Sequence, residues 1–331
     1  MTVTGLLAEL RARDIHVRAD GDQLRCNAPA DALTRELRDE LRLRKGDLLE
    51  FLRSAGALAQ KQRAIVPLQP HGNRTPVFAV AGHNGDVFCY RFLAQHLGED
   101  QPLYGLEPPG RDGQGEPLTR IEDIAAYFAS QIRAFRPDEP CIIAGYCAGG
   151  SIAFELARQL AQARTAVRFL ALFGAPYPTV YRLLPELRYQ FRFQVERLVR
   201  HVRAMVMLSS GERRSYIAQR LRNIRVQQST ALPEESDSAL ALRAKVERAT
   251  IRAARRYKPR HFAGRVSLFL PCQAWVGSGA ETLRWRAVAQ QSEEYFGPDG
   301  CDHDIMLREP HAAAFAKLFR QCYARDDYVG D

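Results

Sequence analysis

The chain has no CxxC pair, no zinc-ligand spacing and no apolar run long enough to cross a bilayer. Its seven cysteines (26, 89, 141, 147, 272, 301 and 322) are odd in number and widely scattered, which argues against a disulfide framework and against a metal site. A reducing cytosol, and so a cytoplasmic location, is the expectation. The apolar run nearest to spanning length, Cys141–Phe154, is too short and contains three glycines. Met1–Asp14 carries charge inside its apolar stretch and lacks a small-residue cleavage site, so it reads as a helix and not as a signal peptide. GxGxxG, the Walker lysine and the signatures of helix-turn-helix, RRM and zinc-finger modules are also missing. Neither a membrane nor a nucleic acid is therefore an expected partner, and no internal repeat or low-complexity tract is present.

What is present is globular: 331 residues, 46% hydrophobic and 26% charged, with room for more than one core. Lys and Arg number 47 against 38 Asp and Glu, a net charge of +9 that is unevenly spread. Residues 1–54 hold 10 of each sign, whereas residues 179–260 hold 19 cations and 7 anions. The excess lies in that second stretch.

Residues 1–54 read as a small α+β unit. Leu6, Leu7 and Leu10 share a helical face, and two alternating strands, Ile15–Ala19 and Gln23–Ala28, flank Asp20-Gly21, a strong hairpin signal. A helical stretch follows over Asp31–Leu52, with a break expected at Gly46. Residues 55–64 are small and polar, as in a linker. From residue 65 to 324 strands and helices alternate: strands at Pro76–Ala81, Pro102–Leu106, Cys141–Ala144, Val167–Phe173 and Arg265–Leu270, and helices at Val87–Leu97, Ile121–Phe135, Ala148–Leu160 and Glu309–Tyr323. That order predicts a mostly parallel α/β sheet, interrupted over about 179–260 by a helical insertion placed as a lid, and followed by a tail at 325–331.

Cys141–Ser151 reads CIIAGYCAGGS, a buried strand, a Gly145-Tyr146-Cys147-Ala148-Gly149 turn and a helix. This is the nucleophile elbow GxSxG with cysteine in place of serine. The glycines let strand and helix approach closely around a strained nucleophile, and a thiolate at a helix N-terminus gains from the helix dipole. A base is needed next. Of eight histidines only His303, in Gly300-Cys301-Asp302-His303-Asp304, falls on a late loop before the terminal helix, in the chain order nucleophile, acid, histidine.

Two resemblances follow from these residues. LLAELRARDIHVRADGDQLRCNAPADALTRELRDELRLRKGDLLEFL resembles the TubC-type docking domains of assembly-line synthetase subunits. This implies that a hairpin edge carrying Arg18 and Arg25 receives the acidic C-terminal docking peptide of an upstream synthetase. VFAVAGHNGDVFCYRFLAQHL, QPLYGLEPPG, IIAGYCAGGSIAFELARQL and GCDHDIMLREPHAAAFAKL resemble the thioesterase domains that end nonribosomal peptide and polyketide assembly lines. That resemblance implies an α/β-hydrolase fold with a large helical lid, a catalytic Cys147 and His303, and an oxyanion hole made by the backbone N–H groups of His83 and Ala148. It also implies a substrate carried on the phosphopantetheine of an acyl or peptidyl carrier protein, with no cofactor or metal held by the chain itself.

The sequence departs from the family where Gly174 stands in place of the usual triad aspartate. Glu281, one strand later, is offered as the acid, while Asp302 and Asp304 are set aside as too near His303 in the chain. A Cys–His dyad is the other option, since a thiol needs less help than a hydroxyl. The expected activity is release of the chain by cyclisation. Hydrolytic release or editing, an aminoacyl shuttle between carriers and a non-catalytic docking adaptor are the alternatives.

Overall fold

The computed structural model describes residues 3–13, 15–20, 22–28, 32–52, 64–83, 85–110, 116–181, 239–278 and 282–327. The N-terminal unit runs α1 (Val3–Ala12), β1 (His16–Asp20), β2 (Gln23–Asn27), α2 (Arg35–Leu43) and a further helix, α3, over 45–52. Asp20 pairs with Gln23, so Asp20 belongs to the strand and not to the turn. Arg18 and Arg25 are register partners across the hairpin. The helical break falls at Arg44 and not at the expected Gly46, because Arg44 caps α2 through its backbone N–H and the Glu40 carbonyl. Thr34 caps the other end by accepting from the Leu37 N–H.

The larger unit continues with β3 (Ile65–Gln69), β4 (Val77–Val80), a 3-10 turn (Val87–Tyr90), α4 (Arg91–Leu97), β5 (Leu103–Leu106), α5 (Ile121–Phe135), β6 (Cys141–Tyr146), α6 (Gly149–Gln162), β7 (Val167–Phe173) and a second 3-10 turn (Pro178–Tyr181). After the insertion come α7 (Ala239–Arg256), β8 (Phe262–Leu270), α8 (Gln273–Ser278), a third 3-10 turn (Thr282–Ala287), β9 (Ala289–Phe296) and α9 (Ala312–Asp327). The seven strands form one sheet in the order β3-β5-β4-β6-β7-β8-β9, parallel except for the β3–β5 pair. Most of the proposed linker and lid lie outside the described residues. The terminal helix starts three residues later than expected and runs to Asp327, three residues past the expected domain end at 324.

Period-two alternation fills both faces of the sheet. Along β7, Phe169, Ala171 and Phe173 enter one core, while Leu170 and Leu172 enter the other. Phe173 stacks on its register partner Phe269 at 4.5 Å between centroids, and Phe269 on Tyr295 at 5.1 Å, so the aromatic rows tie β7, β8 and β9. On the opposite face Phe154 packs on the buried Trp285, whose indole N–H donates to the Ala175 carbonyl. The first core extends beyond the sheet: Leu6, Leu7 and Leu10 of α1 belong to it together with Val87 and Phe88, and Phe51 of α3 lies 6.5 Å from Phe88. The N-terminal unit is packed onto the sheet domain.

Candidate active site

β5 lies on one side of β4 and β6 on the other, so chain direction across the sheet reverses between β4 and β6. In open α/β sheets ligands settle at that point, beyond the strand C-termini. Cys147 is placed there, directly after β6, with φ +51°, a left-handed conformation that few non-glycine residues adopt. The turn is held by hydrogen bonds from the Cys147 N–H to the Phe173 carbonyl (3.1 Å) and from the Gly150 N–H to the Cys147 carbonyl (3.0 Å). The flanking glycines are required by contact. A Cβ on Gly145 would sit 2.6 Å from the Ala153 Cβ, and one on Gly149 would sit 2.0 Å from the Ala81 carbonyl oxygen.

Burial pushes the Cys147 thiol above its ordinary value, and the nearby Asp304 carboxylate adds to the rise. Two hydrogen bonds to the sulfur oppose it, from the Ala148 backbone N–H and from the Tyr181 side chain. Tyr181 is fixed through its carbonyl, which accepts from Arg255 Nε of α7 at 3.0 Å. Its own phenol is raised well above the usual range, first by burial and then by Cys147, so it stays a donor. No sequence signal marked Tyr181, because the contact joins segments far apart in the chain.

A cavity of about 1290 Å³ opens at Cys147. Gly82, His83, Tyr146, Asp304 and Leu307 line it together with Cys147, and Gly5, Ala8 and Glu9 of α1 form another part of its wall. Arg91, Arg243 and Arg308 contribute three guanidinium groups. His83, whose amide the resemblance implicates, sends its side chain to α7, where Nε2 lies 3.3 Å from Glu247 Oε1. Ala148 is fully buried and opens α6.

His303 lies on the loop between β9 and α9, where the chain order predicts it. Its backbone carbonyl accepts from the Tyr146 hydroxyl at 2.8 Å, which joins the histidine loop to the elbow strand. Glu281 lies outside the described residues. Gly174 does stand beside the histidine: a Cβ there would be 3.4 Å from the His303 Cβ, but also 2.8 Å from the sulfur of the fully buried Met306. Asp302 and Asp304, set aside as triad acids because they are so near His303 in the chain, both approach its ring. Asp302 Oδ1 lies 2.8 Å from His303 Nδ1 and accepts from the His303 backbone N–H at 2.6 Å. Asp304 Oδ1 lies 3.2 Å from Nε2. Hydrogen bonds from the His303 ring and backbone hold the Asp302 carboxyl below its ordinary value.

Of the hairpin cations, Arg25 is exposed. Among the described residues no group of three or more His, Cys, Asp or Glu side chains is arranged to hold a metal, and no helix is long and apolar enough to cross a membrane.

A mostly parallel seven-stranded sheet, an elbow residue at left-handed φ after its central strand and a histidine after its last strand define an α/β-hydrolase. The chain belongs, more narrowly, to the thioesterase domain family, whose profile matches residues 75–261, and the TubC N-terminal docking domain profile matches residues 3–54. Among curated proteins, the chain is 37% identical over 112 residues to the nonribosomal peptide synthetase apvA of Aspergillus terreus, covering 34% of this chain and 12% of that protein. It is 25% identical over 280 residues to the synthetase atrA of the same organism, covering 78% of this chain and 29% of atrA. The chain thus spans a minor part of the curated relatives it matches. The NocB thioesterase domain from the nocardicin cluster shares the fold with a TM-score of 0.55 at 19% identity, over 79% of this chain and 99% of that one. The Vlm2 thioesterase domain bound with a dodecadepsipeptide does so with a TM-score of 0.54 at 22% identity, over 78% and 98%.

Proposed function

We propose that the protein takes an acyl or peptidyl chain from the phosphopantetheine thiol of a carrier protein onto Cys147 and releases it by cyclisation, while residues 1–54 dock on an upstream synthetase. The observation that carries the reading is Cys147 itself: a strained thiol at a helix N-terminus, on the wall of a large cavity, with the Ala148 N–H on its sulfur. In the first step the Cys147 sulfur attacks the thioester carbonyl. His303 accepts the thiol proton, and the N–H groups of Ala148 and His83 take the developing oxyanion. The carbonyl–sulfur bond to phosphopantetheine then breaks, and the proton returns to the departing thiol.

One thioester is exchanged for another, so the acyl group on Cys147 remains activated. In the second step a nucleophile of the chain itself attacks, its proton passes to His303 and then to the Cys147 sulfur, and the ring leaves. The phosphopantetheine belongs to the carrier; the chain needs no cofactor of its own. The basic stretch at 179–260 and the cavity arginines supply a field that attracts an acidic carrier and its phosphate.

Incubation with a pantetheine-linked acyl thioester, followed by intact-protein mass spectrometry and product analysis, tests this. The expected result is an acyl adduct on the wild type, none on Cys147→Ala, and a product lighter by one water than the free acid. Free acid as the main product means hydrolysis, transfer to a second carrier thiol means a shuttle, and no adduct on the wild type means a docking adaptor; each overturns the reading.

A further inference from the structure

We propose that Asp302 is the positioning residue for His303, so that the carboxylate of this site stands on the histidine's own loop and not at position 174. The proposal rests on the reading of Cys147 and His303 as nucleophile and base. Three observations carry it. One oxygen of Asp302 meets both the His303 backbone N–H (2.6 Å) and ring Nδ1 (2.8 Å), so the carboxylate is anchored to the backbone of the residue whose ring it holds. The strand position at 174 is closed, because Met306 Sδ occupies the space that a side chain there would need. The loop is tied to the elbow by the Tyr146 hydroxyl on the His303 carbonyl, which fixes its position relative to Cys147.

The consequence is a division of labour on the ring. With Nδ1–H donated to Asp302, Nε2 is the nitrogen left to handle protons once it parts from Asp304. Nε2 faces Asp304, whose side chain is 77% exposed and which lines the same cavity as Cys147. For Nε2 to receive the Cys147 proton its contact with Asp304 has to open, and the proposal requires that it does so when substrate enters. The proton then moves from Cys147 Sγ to Nε2 and on to the departing thiol, while Nδ1–H stays on Asp302 throughout. Adjacency in sequence does not prevent this. It shortens the path between carboxylate and ring to a single peptide unit.

The test uses acylation of the full-length protein by a pantetheine thioester. Asp302→Asn keeps the shape and removes the charge; it lowers kcat by about 100-fold, the low end of a general-base contribution, with KM unchanged within about twofold. Relocation supplies the second arm. In an Asp302→Ala background, Gly174→Asp with Met306→Ala opens the closed position and places a carboxylate beside His303, recovering at least about tenfold of the lost kcat. An Asp302→Asn variant within about threefold of wild type, or a loss confined to KM, overturns the proposal. So does a relocated variant that is folded by circular dichroism and no faster than Asp302→Ala. Persistence of acylation in Cys147→Ala would instead sink the underlying reading, and the two failures are separately visible.

Discussion

Replacing Tyr181 with Phe removes one of the two hydrogen bonds that the Cys147 sulfur receives and leaves the ring in place. Burial raises the thiol, whereas Tyr181 and the Ala148 N–H lower it, so the variant moves the thiol further up. A hydrogen bond to a charged acceptor contributes about 1.5–3 kcal/mol. That free energy weighs against the thiolate by a factor of about ten for each 1.4 kcal/mol. The thiolate fraction at fixed pH then falls about 10- to 100-fold. A more basic thiolate is also a better nucleophile, with a Brønsted slope near 0.4–0.5, so the net alkylation rate falls by only about 3- to 10-fold. The assay is the pH dependence of Cys147 alkylation by iodoacetamide, read peptide by peptide so that the exposed Cys26 does not obscure it. An alkylation pKa that is unchanged or lower in Tyr181→Phe refutes the argument, because it would mean that the phenol does not bond the thiolate.

Four further outcomes are expected. Ala8→Trp projects an indole from α1 into the cavity and slows turnover of long acyl pantetheine thioesters at least about threefold, while short ones react as before; equal rates would show that α1 is not part of the wall used by substrate. Gly149→Ala drives a methyl against the Ala81 carbonyl and lowers Tm by several degrees, read by thermal melting. Arg18→Glu with Arg25→Glu weakens binding of an acidic docking peptide by about tenfold at low salt, and by less at high salt, by fluorescence anisotropy. Tyr257→Phe removes a 2.9 Å hydrogen bond to the buried Glu155 carboxylate and costs about 1.5–3 kcal/mol in urea unfolding.

Glu155 also sets a sign for acid stability. Burial pushes its carboxyl up, but hydrogen bonds from Arg158, Gln159 and Tyr257 outweigh that and hold it below its ordinary value of 4.5. A carboxyl depressed in the folded state contributes stability that is complete above the unfolded pKa and is lost as pH falls through the folded one. Urea midpoints should therefore fall below about pH 4.5, and less steeply in Tyr257→Phe.

The elbow was legible in the sequence because its constraints are local. Gly145 and Gly149 are required by contacts with Ala153 and Ala81 that any residue with a Cβ would violate, and such needs leave a fixed spacing. The buried strands β4, β6 and β7 were legible as continuous apolar runs. β9 was not, because AQQSEEYF is an edge strand whose exposed positions read as loop. Asp302 was set aside on a rule about sequence distance, whereas the backbone of the loop folds the carboxylate back onto the next residue's N–H and ring. Tyr181 and the α1 wall left no local trace, since each arises where segments remote in the chain meet.

The two departures from the family pattern support one another. On the proposed reading, a buried thiol raised by its surroundings needs a base to take its proton, and the His303 ring with a carboxylate on Nδ1 supplies one even though the strand position at Gly174 is filled by Met306. A hydroxyl nucleophile would need that base during attack and again during release. A thiol needs it mainly to ionise, and once acylated it is already a good leaving group. On that reading an exposed carboxylate on the ring suffices for cysteine where serine would demand a buried one, and Cys147→Ser should acylate slowly and release more slowly still.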